Sequence, residues 1–126
     1  MINANNHKGL AETYRALSDE TRLQILGVIL HRGELCVCDV VHVLDITQSK
    51  ASRHLRYLLK TGFLKDRRDG VWSYYRIPED VRAQHLAILN LLQTQLTEQD
   101  LAPLLERLAA WRKTPHCNSA FNPDQP

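Results

Sequence analysis

Apolar positions in the first third of the chain recur at helical spacing: Leu10, Tyr14 and Leu17, then Leu23, Ile25, Leu26, Ile29 and Leu30. An interruption at Ser18-Asp19 divides them into two predicted helices. Ser18 is the expected N-cap of the second, with Asp19 and Glu20 at the positive end of its dipole and Gly33 as its stop. Val40, Val41, Val43 and Leu44 predict a short third helix over residues 37–44, ending at Asp45-Ile46. Thr47 then caps a fourth helix that runs to Thr61, with Gly62 at its C-terminal end. At about 100° per residue, Ala51, Leu55, Leu58 and Leu59 share one arc of that helix, while Ser49, Lys50, Ser52, Arg53, Arg56 and Lys60 take the other side. One face is core and the other is basic.

Residues 64–68 and 71–77 flank Asp69-Gly70, a dipeptide suited to a two-residue hairpin turn, and Val71, Trp72, Tyr74 and Tyr75 favour a strand on the return arm. Helices resume over residues 79–96 and 101–113; Pro103 fits the first turn of the last one if Asp100 is the N-cap. This pair carries more apolar side chains, from Val81 and Leu86 to Leu108 and Trp111, than one face of a small domain uses, so a helix-mediated homodimer is expected. The order α-α-α-α-β-β-α-α describes a mainly α fold with a small β-hairpin, a winged helix-turn-helix. It predicts one domain over residues 1–113, with 47–61 the recognition helix, 64–77 the wing and 79–113 the dimerisation helices. Residues 114–126, with three prolines, are expected to form a flexible tail.

The 126 residues suit a single core, and 44% hydrophobic with 24% charged residues excludes disordered and low-complexity classes. The net charge of +2 hides its distribution. Residues 47–76 hold eight Lys and Arg against two Asp, a net of +6, and the other 96 residues hold eight against twelve acidic groups, a net of −4. A basic helix coupled to a basic hairpin in this order points to double-stranded DNA. If the helix enters the major groove N-terminus first, Gln48 and Ser49 lie near base edges with Arg53 further along, and Thr47 and Ser52 belong to the same DNA-binding set. Lys50, Arg56 and Lys60 suit phosphates, and Arg67 and Arg68 of the wing reach the adjacent backbone or minor groove. His54 lies towards the core boundary and is read as a packed, hydrogen-bonded side chain.

No apolar run approaches the roughly 20 residues of a membrane span, and residues 1–8 are polar with no apolar core behind them, so a cytoplasmic location without a membrane partner is expected. Three cysteines, an odd number, suit reduced thiols. Cys36 and Cys38 lack the Cys-x-x-Cys spacing and a positioned acid–base partner, which argues against an enzyme. Side chains at i and i+2 point about 200° apart on a helix but to one side of an extended segment. For both thiols to hold one ion, Cys36 must sit at or before the start of the third helix, or its first turn must deform. Thiolates favour soft ions.

Four segments together resemble the ArsR/SmtB family of metal-responsive repressors, in its arsenic-sensing branch. They are Ala16-Leu17-Ser18-Asp19-Glu20-Thr21-Arg22-Leu23-Gln24-Ile25-Leu26, Glu34-Leu35-Cys36-Val37-Cys38-Asp39-Val40, Ser49-Lys50-Ala51-Ser52-Arg53-His54-Leu55 and Asp69-Gly70-Val71-Trp72-Ser73-Tyr74-Tyr75-Arg76. The resemblance implies a homodimeric winged-helix repressor that releases its operator when trivalent arsenic or antimony binds at the first helix of the DNA-binding motif. Cys36 and Cys38 carry over. The family's common third cysteine falls at Val41, and Cys117, the remaining thiol, is the expected third metal ligand, ahead of His42 and His116. The family's other site, of carboxylates and histidines on the C-terminal helix, finds only Asp80 and His85 here. The alternative reading keeps DNA binding and makes the cysteines a sensor of oxidants or reactive sulfur.

Overall fold

The core forms where three consecutive helices cross and a small sheet closes one side. In the structure, a computed structural model that describes residues 6–114, these elements are α1 (Asn6–Leu17), α2 (Glu20–Arg32), β1 (Glu34–Cys36), α3 (Val37–Leu44), α4 (Gln48–Lys60), β2 (Lys65–Asp69), β3 (Trp72–Arg76), α5 (Ala83–Gln95) and α6 (Ala102–Arg112). Ile25, Leu26, Val28 and Ile29 of α2 pack with Val40 and Val43 of α3 and with Ala51, Leu55 and Leu58 of α4. Phe63 and Leu64, just after α4, fill the same core, which Leu89, Leu92, Leu105 and Leu108 of the last two helices complete. The fold is a winged helix-turn-helix, mostly helical with a small sheet.

The boundaries follow local chemistry, and in several places they differ from expectation. Ser18 does not cap α2: its hydroxyl donates back to the Arg15 carbonyl at 2.9 Å, and Asp19 in extended geometry accepts from the Arg22 N–H at 3.0 Å. Asp100 does not cap α6 either. Its carboxylate accepts from the N–H and hydroxyl of Thr97 at 3.0 and 2.8 Å, closing the α5–α6 turn, and Leu101 takes the cap position with Pro103 still in the first turn. α5 begins at Ala83, several residues after the expected start near Glu79. Glu79 instead pairs with Lys65 and Arg76 beside the hairpin.

The sheet has three antiparallel strands in the order β1-β3-β2, where sequence periodicity showed only the two of the hairpin. Asp69 pairs with Trp72, so Gly70 and Val71 form the turn, one residue later than expected. Of these two only Gly70 has positive φ, at 64°, as a type II′ turn requires. The added strand β1 sets Glu34 opposite Arg76 and Cys36 opposite Tyr74. The wing is thereby joined directly to the segment that carries the cysteines.

α6 runs along α3 and holds it at both ends. Arg107 donates to the Val43 carbonyl at 2.8 Å near the C-terminus of α3, and Trp111 and Arg112 reach Asp39 at its N-terminus. Of the two helices expected to dimerise, α6 thus spends its apolar face on its own core. Among the described residues the large exposed apolar side chains are Val71 at 85% in the wing turn and, on α1 and α5, Tyr14 at 56%, Leu86 at 45% and Leu91 at 59%.

Candidate DNA interface and thiol site

The turn between α3 and α4 is built by Asp45, which ends α3 in the left-handed region at φ 54°, and by Thr47, whose side chain accepts the Lys50 N–H at 3.1 Å. Anchored by Ala51, Leu55 and Leu58, α4 turns Gln48, Ser49, Lys50, Arg53, Arg56 and Lys60 to solvent; Thr47 is exposed beside them and Ser52 is half-buried. The expected interface residues of α4 other than Ser52 are thus exposed. Tyr57 lies beneath the Arg22 guanidinium, 4.3 Å from ring centroid to cation. His54 is half-buried with Nδ1 3.3 Å from Arg22 Nη1. Burial, reinforced by Arg22, Arg53 and Lys50 against the opposing Asp19, holds its pKa below the usual imidazole range.

In the wing, the register Arg67 with Tyr74 and Arg68 with Ser73 sends the two arginines to opposite faces of the hairpin. Arg68 is exposed. Arg67 is clasped by Glu34, with Nε to Oε2 and Nη2 to Oε1 both at 3.0 Å, and lies 4.6 Å over the Tyr74 ring. The Arg67 hydrogen bond is the largest influence holding the Glu34 carboxyl below its ordinary range.

The cysteines bracket the start of α3. Cys36 is its N-cap in extended geometry, φ −93° and ψ 173°, and is a fully buried free thiol; Cys38 is in the first turn, half-buried and disulfide-bonded, so the expectation of reduced thiols holds in this structure for Cys36 and not for Cys38. The requirement that Cys36 precede the helix is therefore met. Cys36 and Asp39 form a reciprocal capping box, in which the thiol faces the Asp39 N–H and the Cys36 N–H donates to Asp39 Oδ2 at 3.0 Å. Burial first, then the Asp39 charge, pushes the Cys36 thiol from its ordinary 9.0 up to about 11. Near neutral pH, Cys36 in the folded protein is expected to react with iodoacetamide at least about 100-fold more slowly than in denaturant, because two pKa units cost about that factor in thiolate. Peptide mapping of the alkylated protein reads this, and equal rates would contradict it.

Asp39 is 0% exposed and carries the whole assembly. It accepts from Cys36 N, from Trp111 Nε1 at 3.1 Å and from Arg112 Nη2 at 2.8 Å, while Arg112 Nη2 also donates to the Glu34 carbonyl at 2.8 Å. His42 stacks on Trp111 with centroids 3.4 Å apart. Sequence reasoning missed Glu34, Asp39, Trp111 and Arg112. The first two stood inside the quoted cysteine motif; the other two lie more than seventy residues from Asp39, where no local spacing marks them. Among the described residues no group of three His, Cys, Asp or Glu side chains converges to hold a metal ion. Cys117 and His116 lie outside the described residues, as does the rest of the expected tail beyond Thr114. His85 is not placed as a ligand: it is buried against Phe63, its Nε2 2.8 Å from the Thr61 carbonyl.

Residues 19–66, from α2 into β2, match the family description "Bacterial regulatory protein, arsR family". An arsenic resistance transcriptional regulator of Pseudomonas putida is 38% identical over 102 residues, 81% of this chain and 79% of that protein. The arsenical resistance operon repressor of Escherichia coli is 42% identical over 79 residues, covering 63% of this chain and 68% of that protein. Among solved structures, a homodimeric winged helix-turn-helix DNA-binding domain from Mycobacterium bovis, a possible ArsR-family regulator, matches with TM-score 0.61 at 27% identity, over 78% of this chain and 89% of that chain. With the basic helix, the wing and the core all in the arrangement such regulators share, the chain belongs to the arsR family of DNA-binding transcriptional repressors and is not an enzyme.

Proposed function

We propose that this repressor binds operator DNA as a homodimer through α4 and the wing, and releases it when trivalent arsenic or antimony is captured by Cys36, Cys38 and Cys117. The observation that carries the reading is the position of Cys36 and Cys38, one just before and one just inside the first turn of α3, the first helix of the DNA-binding motif. Two soft sulfur donors there, Cys38 after reduction of its disulfide, suit a thiophilic metalloid, and relatives named for arsenic resistance support the choice. Arg112 is held at the same helix end, and a chain advances at most about 3.3–3.6 Å per residue, so the five residues to Cys117 give it about 17 Å of reach.

Arsenous acid is uncharged near neutral pH, and each thiol that binds it gives its proton to a departing hydroxide as water. A buried, protonated Cys36 is compatible with that exchange, whereas an oxidant sensor works through an exposed thiolate. Once a cellular thiol has reduced the Cys38 disulfide, drawing the two thiols together breaks the Cys36–Asp39 capping box and deforms the start of α3. α4 packs on α3 through Val40, Val43, Ala51 and Leu55, so it tilts with it. Exposed Tyr14, Leu86 and Leu91 on α1 and α5 supply the surface for the second copy.

Operator-binding titrations with and without arsenite test this reading. Couplings of about 1–3 kcal/mol predict operator affinity about 5–150-fold weaker with arsenite for the wild type. Cys36→Ser and Cys38→Ser should abolish the response, and Cys117→Ser should weaken arsenite binding. Arsenite that binds tightly without altering operator affinity would refute the mechanism, and an unchanged Cys117→Ser would leave a two-thiolate site.

A further inference from the structure

The wing's cations are not equally available. Lys65 and Arg76 are paired with Glu79 from the segment after the hairpin, and Arg68 makes no ion pair among the described residues. Arg67 is engaged by a residue from outside the hairpin. Glu34, on the three-residue strand β1 and 33 positions earlier in the chain, fills two donors of the guanidinium with parallel bonds of 3.0 Å. That is the geometry in which an arginine fork takes two oxygens of a phosphate. Arg76 Nη1 lies 3.9 Å from the same carboxylate, and Arg112 holds the Glu34 backbone carbonyl, so the carboxylate is held in place from two further sides.

We propose that Glu34 is an internal competitor for DNA phosphate, occupying the Arg67 fork that the wing otherwise offers to the DNA backbone and thereby setting the affinity for DNA. The pair faces solvent, with side chains 29% and 42% exposed, so phosphate can reach and replace it. A purely structural clasp makes the opposite prediction: loosening it would free the wing to move and weaken binding.

The proposal rests on the reading of the wing as a phosphate-contacting hairpin, and a four-variant comparison separates the two. Fluorescence anisotropy with a random-sequence 30-base-pair duplex compares wild type, Glu34→Gln, Arg67→Gln and the double variant over a salt series; phosphate contacts are independent of sequence. Glu34→Gln is expected to bind about 2–5-fold tighter per wing, the scale of an exposed ion pair, with a salt slope steeper by about 0.9. That gain should disappear on the Arg67→Gln background. Unchanged or weaker binding by Glu34→Gln, or the same gain without Arg67, overturns the proposal. If Arg67→Gln alone binds as wild type, the wing reading itself fails.

Discussion

Asp39→Ala is expected to lower the unfolding midpoint by about 10–25 °C. The carboxylate is wholly buried and accepts from Cys36 N, Trp111 Nε1 and Arg112 Nη2. Removing one partner of a buried charged pair costs about 3–5 kcal/mol, because the groups left behind are desolvated and unpaired. For a domain of about this size, 1 kcal/mol moves the midpoint by about 4–8 °C at most and somewhat less as length grows. Asp39→Asn keeps an acceptor for one donor and should lose about half as much. Thermal melts followed by circular dichroism check both, and a midpoint within about 3 °C of wild type for the alanine variant would show that the cluster does not hold α6 to α3.

Replacing Lys50, Arg53, Arg56 and Lys60 together by Gln should leave the melting temperature unchanged and remove most of the affinity for DNA. All four side chains stand on the exposed face of α4. Each lost phosphate contact takes about 0.9 from the slope of log affinity against log salt. Lys50, Arg56 and Lys60, the three read as phosphate contacts, flatten that slope by about 2.7 per chain and weaken binding by about 500-fold in roughly 0.1 M salt, and the loss of Arg53 removes a base-facing contact as well. Anisotropy over a salt series measures both quantities. An unaltered slope would place the DNA on another surface.

The outward face of α4 was legible because it is local: the helical period sorts Ala51, Leu55 and Leu58 from Arg53, Arg56 and Lys60 without reference to the rest of the fold. The winged architecture followed from the order of elements for the same reason. β1 was not legible. Three residues are too few to show alternation, and the strand exists because β3 offers an open edge to Glu34, Leu35 and Cys36. Likewise, Ser18 and Asp100 are both good cap residues by type, yet each found a nearer partner, in the Arg15 carbonyl and in Thr97. The thiol site was half legible. Its two cysteines mark themselves, but the residues that fix their helix, Trp111 and Arg112, read in sequence only as the end of an apolar helix.

The clasp between α6 and α3 also orders events during synthesis. The groups that secure Asp39 come 72 and 73 residues after it. At about 5–20 residues per second, that separation is about 4–15 s of elongation. For that interval α2 to α4 can assemble from local contacts, while the start of α3 waits for a partner still being made. Cys36, sealed in the finished protein, passes through this period in a nascent chain whose final helix has yet to leave the ribosome. Until α6 is made, the start of α3 therefore lacks the contacts from Trp111 and Arg112 that hold it in the finished protein.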